Sequence, residues 1–188
     1  GRLNGSFAVF RIEQDKLAQE AGRIDRDGAG PLLEESYYRA AEGAKSEGFE
    51  FELSGELAQG WNATAGYSQF RAKDATGTDV NSIYPRRLLR VFTTYKAFDA
   101  LTVGGGVNWE GRTYTIDPAA PAGSTGLIEH KSFALVNLMA RYEFSPNLSA
   151  QLNVDNLFDK QHFGMFAAYG ALTYAAPRSA SLSLKYRF

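Results

Sequence analysis

The residues able to do chemistry are few and scattered. His130 and His162 are the two histidines, cysteine is absent, and the histidines fall on separate loops with no carboxylate at ligand spacing. No metal centre is read from them. "DRDG" at Asp25–Gly28 opens like a calcium loop, but its twelfth position is Ser36 rather than a bidentate glutamate. Glu50, Glu52 and Glu56 alternate along one stretch, where ion pairs with basic residues of neighbouring strands are the expected use rather than acid–base catalysis. "VGGGV" at Val103–Val107 is a glycine run inside a strand pattern, which points to close packing or bending and not to a phosphate cradle. No nucleophile has a partnering base. Catalytic residue, metal and cofactor are therefore all assigned as none, and binding is the chemistry left to explain.

Composition narrows the field further. Twenty basic against twenty-one acidic residues leave no electrostatic footprint for nucleic acid or an anionic membrane surface. Without cysteine there is neither disulfide nor thiol catalysis. No run approaches the ~18–20 apolar residues of a membrane-spanning helix. The start lacks both Met and a leader pattern, so the chain reads as a mature or truncated piece. The best helix signal, Glu13–Gly22, is short and weakly patterned, and an all-β reading follows.

What positions side chains here is a period of two. Ala180, Leu182, Leu184, Tyr186 and Phe188 fall on one face of a final strand; Ser179, Ser181, Ser183, Lys185 and Arg187 fall on the other. The same alternation marks Leu148–Phe158, Ser132–Phe144, Leu101–Glu110, Leu88–Lys96, Trp61–Phe70 and the strand carrying Phe49, Phe51, Leu53 and Leu57. Leu3–Ile12 is an eighth segment, but "SFAVF" is apolar on both faces and its orientation stays open. Short turns fall near 58, 98 and 145, whereas long connections run over 15–35, 72–83, 112–130 and 160–176. Strict alternation puts every long loop at one end of an up-and-down meander.

A soluble up-and-down barrel such as a lipocalin also alternates in this way. Three details favour a bilayer. Aromatics gather towards the ends of the apolar faces (Trp61, Tyr67, Trp109, Tyr142, Tyr186), like an interfacial girdle. The opposite faces are rich in Gly, Ser, Thr and Asn. The strands match the ~9–11 residues that cross a membrane.

The segments "NVDNLFDKQHF" and "YGALTYAAPRSASLSLKYRF" closely resemble the C-terminal end of TonB-dependent outer-membrane receptors, the ferric-siderophore group in particular. The family pattern is matched by Asn156–Lys160, Tyr169–Gly170, Pro177–Arg178 and the terminal Phe188; "SEGFEFELSGEL", "YPRR" and "VNWEGRTY" resemble its earlier strand openings. His162 and Phe163 stand where the family more often has tyrosines.

The resemblance implies an all-β, antiparallel up-and-down transmembrane β-barrel. Residues 1–188 would be its last eight strands of 22, with the plug and earlier strands absent. It further implies uptake of ferric siderophores at the outer membrane of a Gram-negative bacterium, coupled to TonB, with no enzymatic step. Iron would arrive only as a siderophore chelate. Expected partners are the siderophore, TonB, the plug domain, outer-membrane lipid and the barrel-assembly machinery, which would read Phe188 and Tyr186; nucleic acid is not among them. Ligand contacts are expected from Tyr37, Tyr38, Tyr114, His162, Phe163, Phe166 and Tyr169, since a mixed apolar and polar chelate needs stacking surfaces and convergent donors. The alternative is a self-contained small outer-membrane barrel with a structural or enzymatic role. The loop alternation predicts that labelling reagents applied to intact cells reach 15–35, 72–83 and 112–130 but not the turns near 58, 98 and 145. External labelling beside Asp99 or Pro146 would invert the orientation.

Overall fold

The computed structural model describes residues 3–24, 35–80, 82–117, 120–121, 123–168 and 171–188. Its strands are β1 (Leu3–Ile24), β2 (Glu35–Ala58), β3 (Trp61–Asp74), β4 (Arg87–Phe98), β5 (Leu101–Glu110), β6 (Thr113–Ile116), β7 (Leu127–His130), β8 (Phe133–Ser145), β9 (Leu148–Asp155), β10 (Phe163–Ala168), β11 (Ala171–Tyr174) and β12 (Ser179–Tyr186). Eight of these form one sheet in the order β1-β2-β3-β4-β5-β8-β9-β12, while β6–β7 and β10–β11 are separate hairpins. Two compact units are distinguished. One comprises Gly1–Val9, Phe49–Phe70 and Ser82–Phe188, the other Phe10–Gly48 and Arg71–Asn81.

Register carries the period of two from strand to strand in the first unit. Ala65 lies opposite Val91, Val91 opposite Val107, and Val107 opposite Val136. Nearer the short turns, Val103 faces Ala140, Ala140 faces Leu152 and Leu152 faces Leu182. A single apolar surface results. The alternate residues pair just as consistently: Gly66 with Arg90, Gly106 with Asn137, and Asn153 with Ser181. The orientation of the first strand is settled by its neighbours. Ser6 Oγ reaches Glu52 Oε2 at 3.5 Å on the polar face. Phe7 packs on Phe49 at 6.0 Å, and Phe49 on Tyr67 at 5.8 Å. Leu3, Gly5, Phe7 and Val9 therefore share the apolar surface.

Nothing among the described residues covers that surface. The buried apolar residues among those described, Ala72 and Phe133, do not belong to it, and Leu182 and Leu184 are 67% and 73% exposed. Each aliphatic side chain left bare in water forgoes about 1.5–3 kcal/mol of burial, so a sheet built this way needs hydrocarbon as its solvent. The close approach at β5 explains its glycines. A Cβ on Gly104 would sit 2.8 Å from Thr93 O, and one on Gly106 would sit 2.8 Å from Val91 O and 2.9 Å from the Phe92 ring.

Several loop boundaries differ from the sequence reading. Most of 15–35 is strand: β1 runs to Ile24 and β2 begins at Glu35, so Glu13–Gly22 is extended rather than helical. The connections 112–130 and 160–176 each contain a hairpin. The anticipated ion pairs of Glu50, Glu52 and Glu56 are not seen among the described residues; Glu52 bonds Ser6, and Glu56 Oε1 accepts the Gly60 N–H at 3.0 Å. Arg placed at Leu152 or Leu184 is expected to cost about 2–4 kcal/mol at mid-bilayer depth, and far less at Asn153 or Ser183. Denaturant unfolding of the full-length protein in lipid checks this; equal costs on both faces would remove the bilayer from the apolar side.

Candidate ligand-binding rim

At the long-loop end, β9 runs into a hydrogen-bonded knot made by "NLFDK". Asn156 and Asp159 hold left-handed φ of 51° and 52°, a region asparagine and aspartate tolerate better than most side chains. Asn156 is 5% exposed. Its Oδ1 accepts the Lys160 N–H at 2.8 Å, and its Nδ2 donates to Lys160 O at 3.0 Å. Its own N–H donates to Asn137 Oδ1 on β8 at 2.9 Å, and the Leu157 N–H donates to Val136 O at 2.8 Å. Asp159 Oδ1 then accepts the Arg178 N–H at 2.8 Å, and Arg178 Nη1 reaches Leu157 O at 3.4 Å. The family motif thus fastens β8, β9 and the entry to β12 together.

The knot hands the chain on to an aromatic cluster. His162 Nδ1–H donates to Lys160 O at 3.1 Å. His162 packs against Phe133 with centroids 4.9 Å apart, and His130 stacks on Phe133 at the same distance. Phe163 meets His130 edge-on at 5.0 Å and stacks on Tyr174 at 4.9 Å. The two histidines, read as lying on separate loops, are brought to one phenylalanine. Beside them a cavity of about 390 Å³ is lined by Asp159, Lys160, Gln161, Tyr174 and Pro177. It offers an aromatic face, a cation and a carboxylate within one recess.

The expected contact residues are dispersed. His162 and Phe163 belong to the cluster. Tyr114 carries the Arg112 guanidinium 5.1 Å from its ring and donates its backbone N–H to Ser82 O at 2.9 Å. Tyr37 and Tyr38 lie on β2, 46% and 62% exposed, in the other unit. The Phe166 backbone is paired with Leu172, while its side chain, Tyr169 and the Asp25–Gly28 stretch lie outside what is described. Phe133 and Tyr174 were missed. Phe133 opens β8 on the polar face, a departure from the alternation that could have flagged it; Tyr174, 72% exposed, had no distinguishing signal beyond its place before Pro177. No group of three or more metal-capable His, Cys, Asp or Glu side chains occurs among the described residues.

Burial, reinforced by the charges of His162 and Lys160, holds the His130 pKa below its ordinary value. The neutral ring is thus the native form, and its Nε2 accepts the Phe163 N–H at 3.5 Å. A folded-state pKa below the unfolded one means that stability is fully present above about pH 6.5 and declines as pH falls below it. Amide protection in β7 and at Phe163, corrected for intrinsic exchange, should fall between pH 7.5 and 5.5 in the wild type and stay flat in His130→Gln. A flat wild-type profile would remove His130 as its cause.

A family model described as TonB dependent receptor-like, beta-barrel, matches residues 1–157. The chain is 37% identical over 191 residues to the ferric-pyoverdine BN7/BN8 receptor of Pseudomonas putida, covering 100% of this chain and 21% of that protein. It is 36% identical over 191 residues to the ferripyoverdine receptor of Pseudomonas aeruginosa, covering 100% of this chain and 23% of that one. The crystal structure of the Pseudomonas aeruginosa outer-membrane ferripyoverdine receptor bound to ferripyoverdine superposes with a TM-score of 0.85 at 35% identity, over 99% of this chain and 25% of that chain. A siderophore receptor, PiuA, from Acinetobacter baumannii gives a TM-score of 0.75 at 28% identity, over 98% of this chain and 26% of that chain. The chain therefore spans about a quarter or less of the relatives it matches. With its bare apolar face, its one-ended long loops and this correspondence along its whole length, the chain belongs to the β-barrel family of TonB-dependent outer-membrane receptors.

Proposed function

We propose that this chain is the last eight strands of a 22-stranded receptor that takes up a ferric siderophore across the outer membrane, with the plug and the earlier strands supplied by the rest of the protein. The observation carrying this reading is that the entire chain, not one motif, aligns with ferric-pyoverdine receptors at 36–37% identity. A chelate of the pyoverdine kind is the first candidate substrate. Iron is cargo, and the segment needs no resident cofactor. Tyr114, His162, Phe163 and the exposed Tyr174 are assigned as aromatic contacts to the chelate, and Phe166, Tyr169, Tyr37 and Tyr38 keep that assignment from the sequence pattern alone. TonB acts on the plug. Such a receptor binds, holds and releases its ligand, so no covalent step is assigned to it.

Phe188 and Tyr186 are assigned to barrel assembly. The Arg187 N–H still donates to Asn147 O at 2.9 Å, so pairing continues to the penultimate residue. The terminal ring meets Tyr186 edge-on at 5.0 Å and is otherwise fully exposed. A ring so placed is open to recognition. The self-contained small barrel has less support, because β1 and β12 stand at opposite ends of the strand order.

The reading is tested by uptake of radiolabelled ferric pyoverdine in a receptor-deficient strain expressing the full-length protein. Uptake should require TonB, and chelates that fail to bind should also fail to enter. Tyr174→Ala together with Phe163→Ala should weaken affinity about tenfold, or 1.4 kcal/mol; unchanged affinity would place the ligand elsewhere. Deleting Phe188 should lower the inserted amount while leaving affinity per inserted molecule intact. Normal insertion with lost affinity would overturn the assembly role.

A further inference from the structure

The two hairpins outside the main sheet meet through one histidine. Neither β6–β7 nor β10–β11 belongs to the eight-stranded sheet, so their placement rests on loop and side-chain contacts rather than on a shared ladder. The β6–β7 hairpin is tied at its base. There the Gly111 N–H donates to Arg87 O at 2.8 Å, the Tyr114 N–H donates to Ser82 O at 2.9 Å, and Arg112 Nη1 meets Glu129 Oε1 at 3.1 Å. The β10–β11 hairpin starts from the Asn156–Lys160 knot, and the Ala175 N–H donates to His162 O at 3.0 Å across its base. His130, the last residue of β7, then reaches Phe163, the first residue of β10. Its Nε2 accepts the Phe163 N–H at 3.5 Å, its ring meets the Phe163 ring edge-on, and it stacks on Phe133 of β8.

A proton removes that contact. A neutral imidazole offers one ring nitrogen as an acceptor, whereas an imidazolium carries N–H on both, so protonation at Nε2 sets two donors against each other. The Phe133 stack does not share this weakness, because an aromatic face attracts a cation. Burial, and then the charges of His162 and Lys160 on the segment before β10, disfavour the protonated ring. Of its neighbours along the chain, Glu129 is held by Arg112 and Lys131 adds another positive charge; Phe133 of β8 and Phe163 of β10 carry none. Beyond the contact, Phe163 stacks on Tyr174 at 4.9 Å and is paired with it across the hairpin. A shift of the Phe163 backbone therefore carries Tyr174 with it.

We propose that His130 is a positioning residue for chelate binding: through the Phe163 N–H it clamps the β10–β11 hairpin to the β6–β7 hairpin and so holds Phe163 and Tyr174 where they meet the ligand. This rests on the assignment of Phe163 and Tyr174 as ligand contacts. Because the clamp needs the neutral ring, affinity is full above about pH 6.5 and falls as the pH drops below it. An imidazole of ordinary pKa would weaken binding about tenfold at pH 5.5, and a ring held below that value gives less, about threefold.

The test uses the full-length receptor in detergent, with radiolabelled ferric pyoverdine as the probe, from pH 7.5 to pH 5.5. Across that range the wild-type Kd should rise about threefold more than that of His130→Gln, whose side-chain oxygen accepts the Phe163 N–H but takes no proton. Comparing the two cancels any titration of the chelate itself. Lys160→Gln should move the midpoint of the wild-type profile to higher pH, which a loss of packing alone would not do. In the ligand-free receptor, spin labels on Leu127→Cys of β7 and Leu172→Cys of β11, both exposed positions, should give a broader distance distribution at pH 5.5 than at pH 7.5. The same labels in a His130→Gln background should give equal distributions at both. Equal pH dependence of Kd in wild type and His130→Gln, or label distances that ignore pH in the wild type, would each overturn the role. If the wild type binds no ferric pyoverdine at pH 7.5, the substrate reading fails, and the label distances by themselves support or overturn the clamp.

Discussion

Every strand in this segment makes its backbone hydrogen bonds to a neighbouring strand, and that single requirement organises the rest. In hydrocarbon an unpaired N–H or C=O costs several kcal/mol, so pairing must run the length of each crossing. The β12–β9 ladder does so from Ser179 to Tyr186, with Arg187 adding one more bond to Asn147. Once pairing is fixed, register is fixed, and the period of two then decides which side chains meet lipid. The apolar surface from Trp61 to Leu184 is thus a consequence of the ladder as much as of composition.

Much of this was legible in the residues. Leu152, Val154, Leu182 and Leu184 alternate with Ser, Asn and Gln so regularly that no other element fits them, and "SPN", "FDA" and "AQG" mark the tight turns. Orientation at Leu3–Ile12 was not legible, because Phe7, Ala8, Val9 and Phe10 offer apolar groups to both sides. Only tertiary partners, Glu52 for Ser6 and Phe49 for Phe7, separate them. The extensions of β1 and β2 were missed for a related reason: Gln14 to Arg23 mixes charge and alanine without alternation, since a strand lacking lipid on one side has no pattern to keep.

The rim shows the same division between local and long-range information. "NLFDK" was recognisable as a string, but its work is visible only in space, where Asn156 brackets Lys160 and reaches Asn137 nineteen residues away. His130 and His162 looked unrelated because the 31 residues between them include the whole of β8 and β9. Antiparallel pairing returns the chain to the same end, and Phe133 then becomes the common surface for both rings.

The glycines of β5 have a consequence for clearance. With no side chain at Gly104 or Gly106, the Phe92 ring and the Met139 side chain settle close to the bare backbone instead of standing out from the sheet. In a closed barrel the free bore beside these strands is set by how far they lean. A methyl group at position 106 would meet the Phe92 ring at 2.9 Å and the Val91 carbonyl oxygen at 2.8 Å, so it would press the ring towards the bore and strain the β4–β5 ladder together.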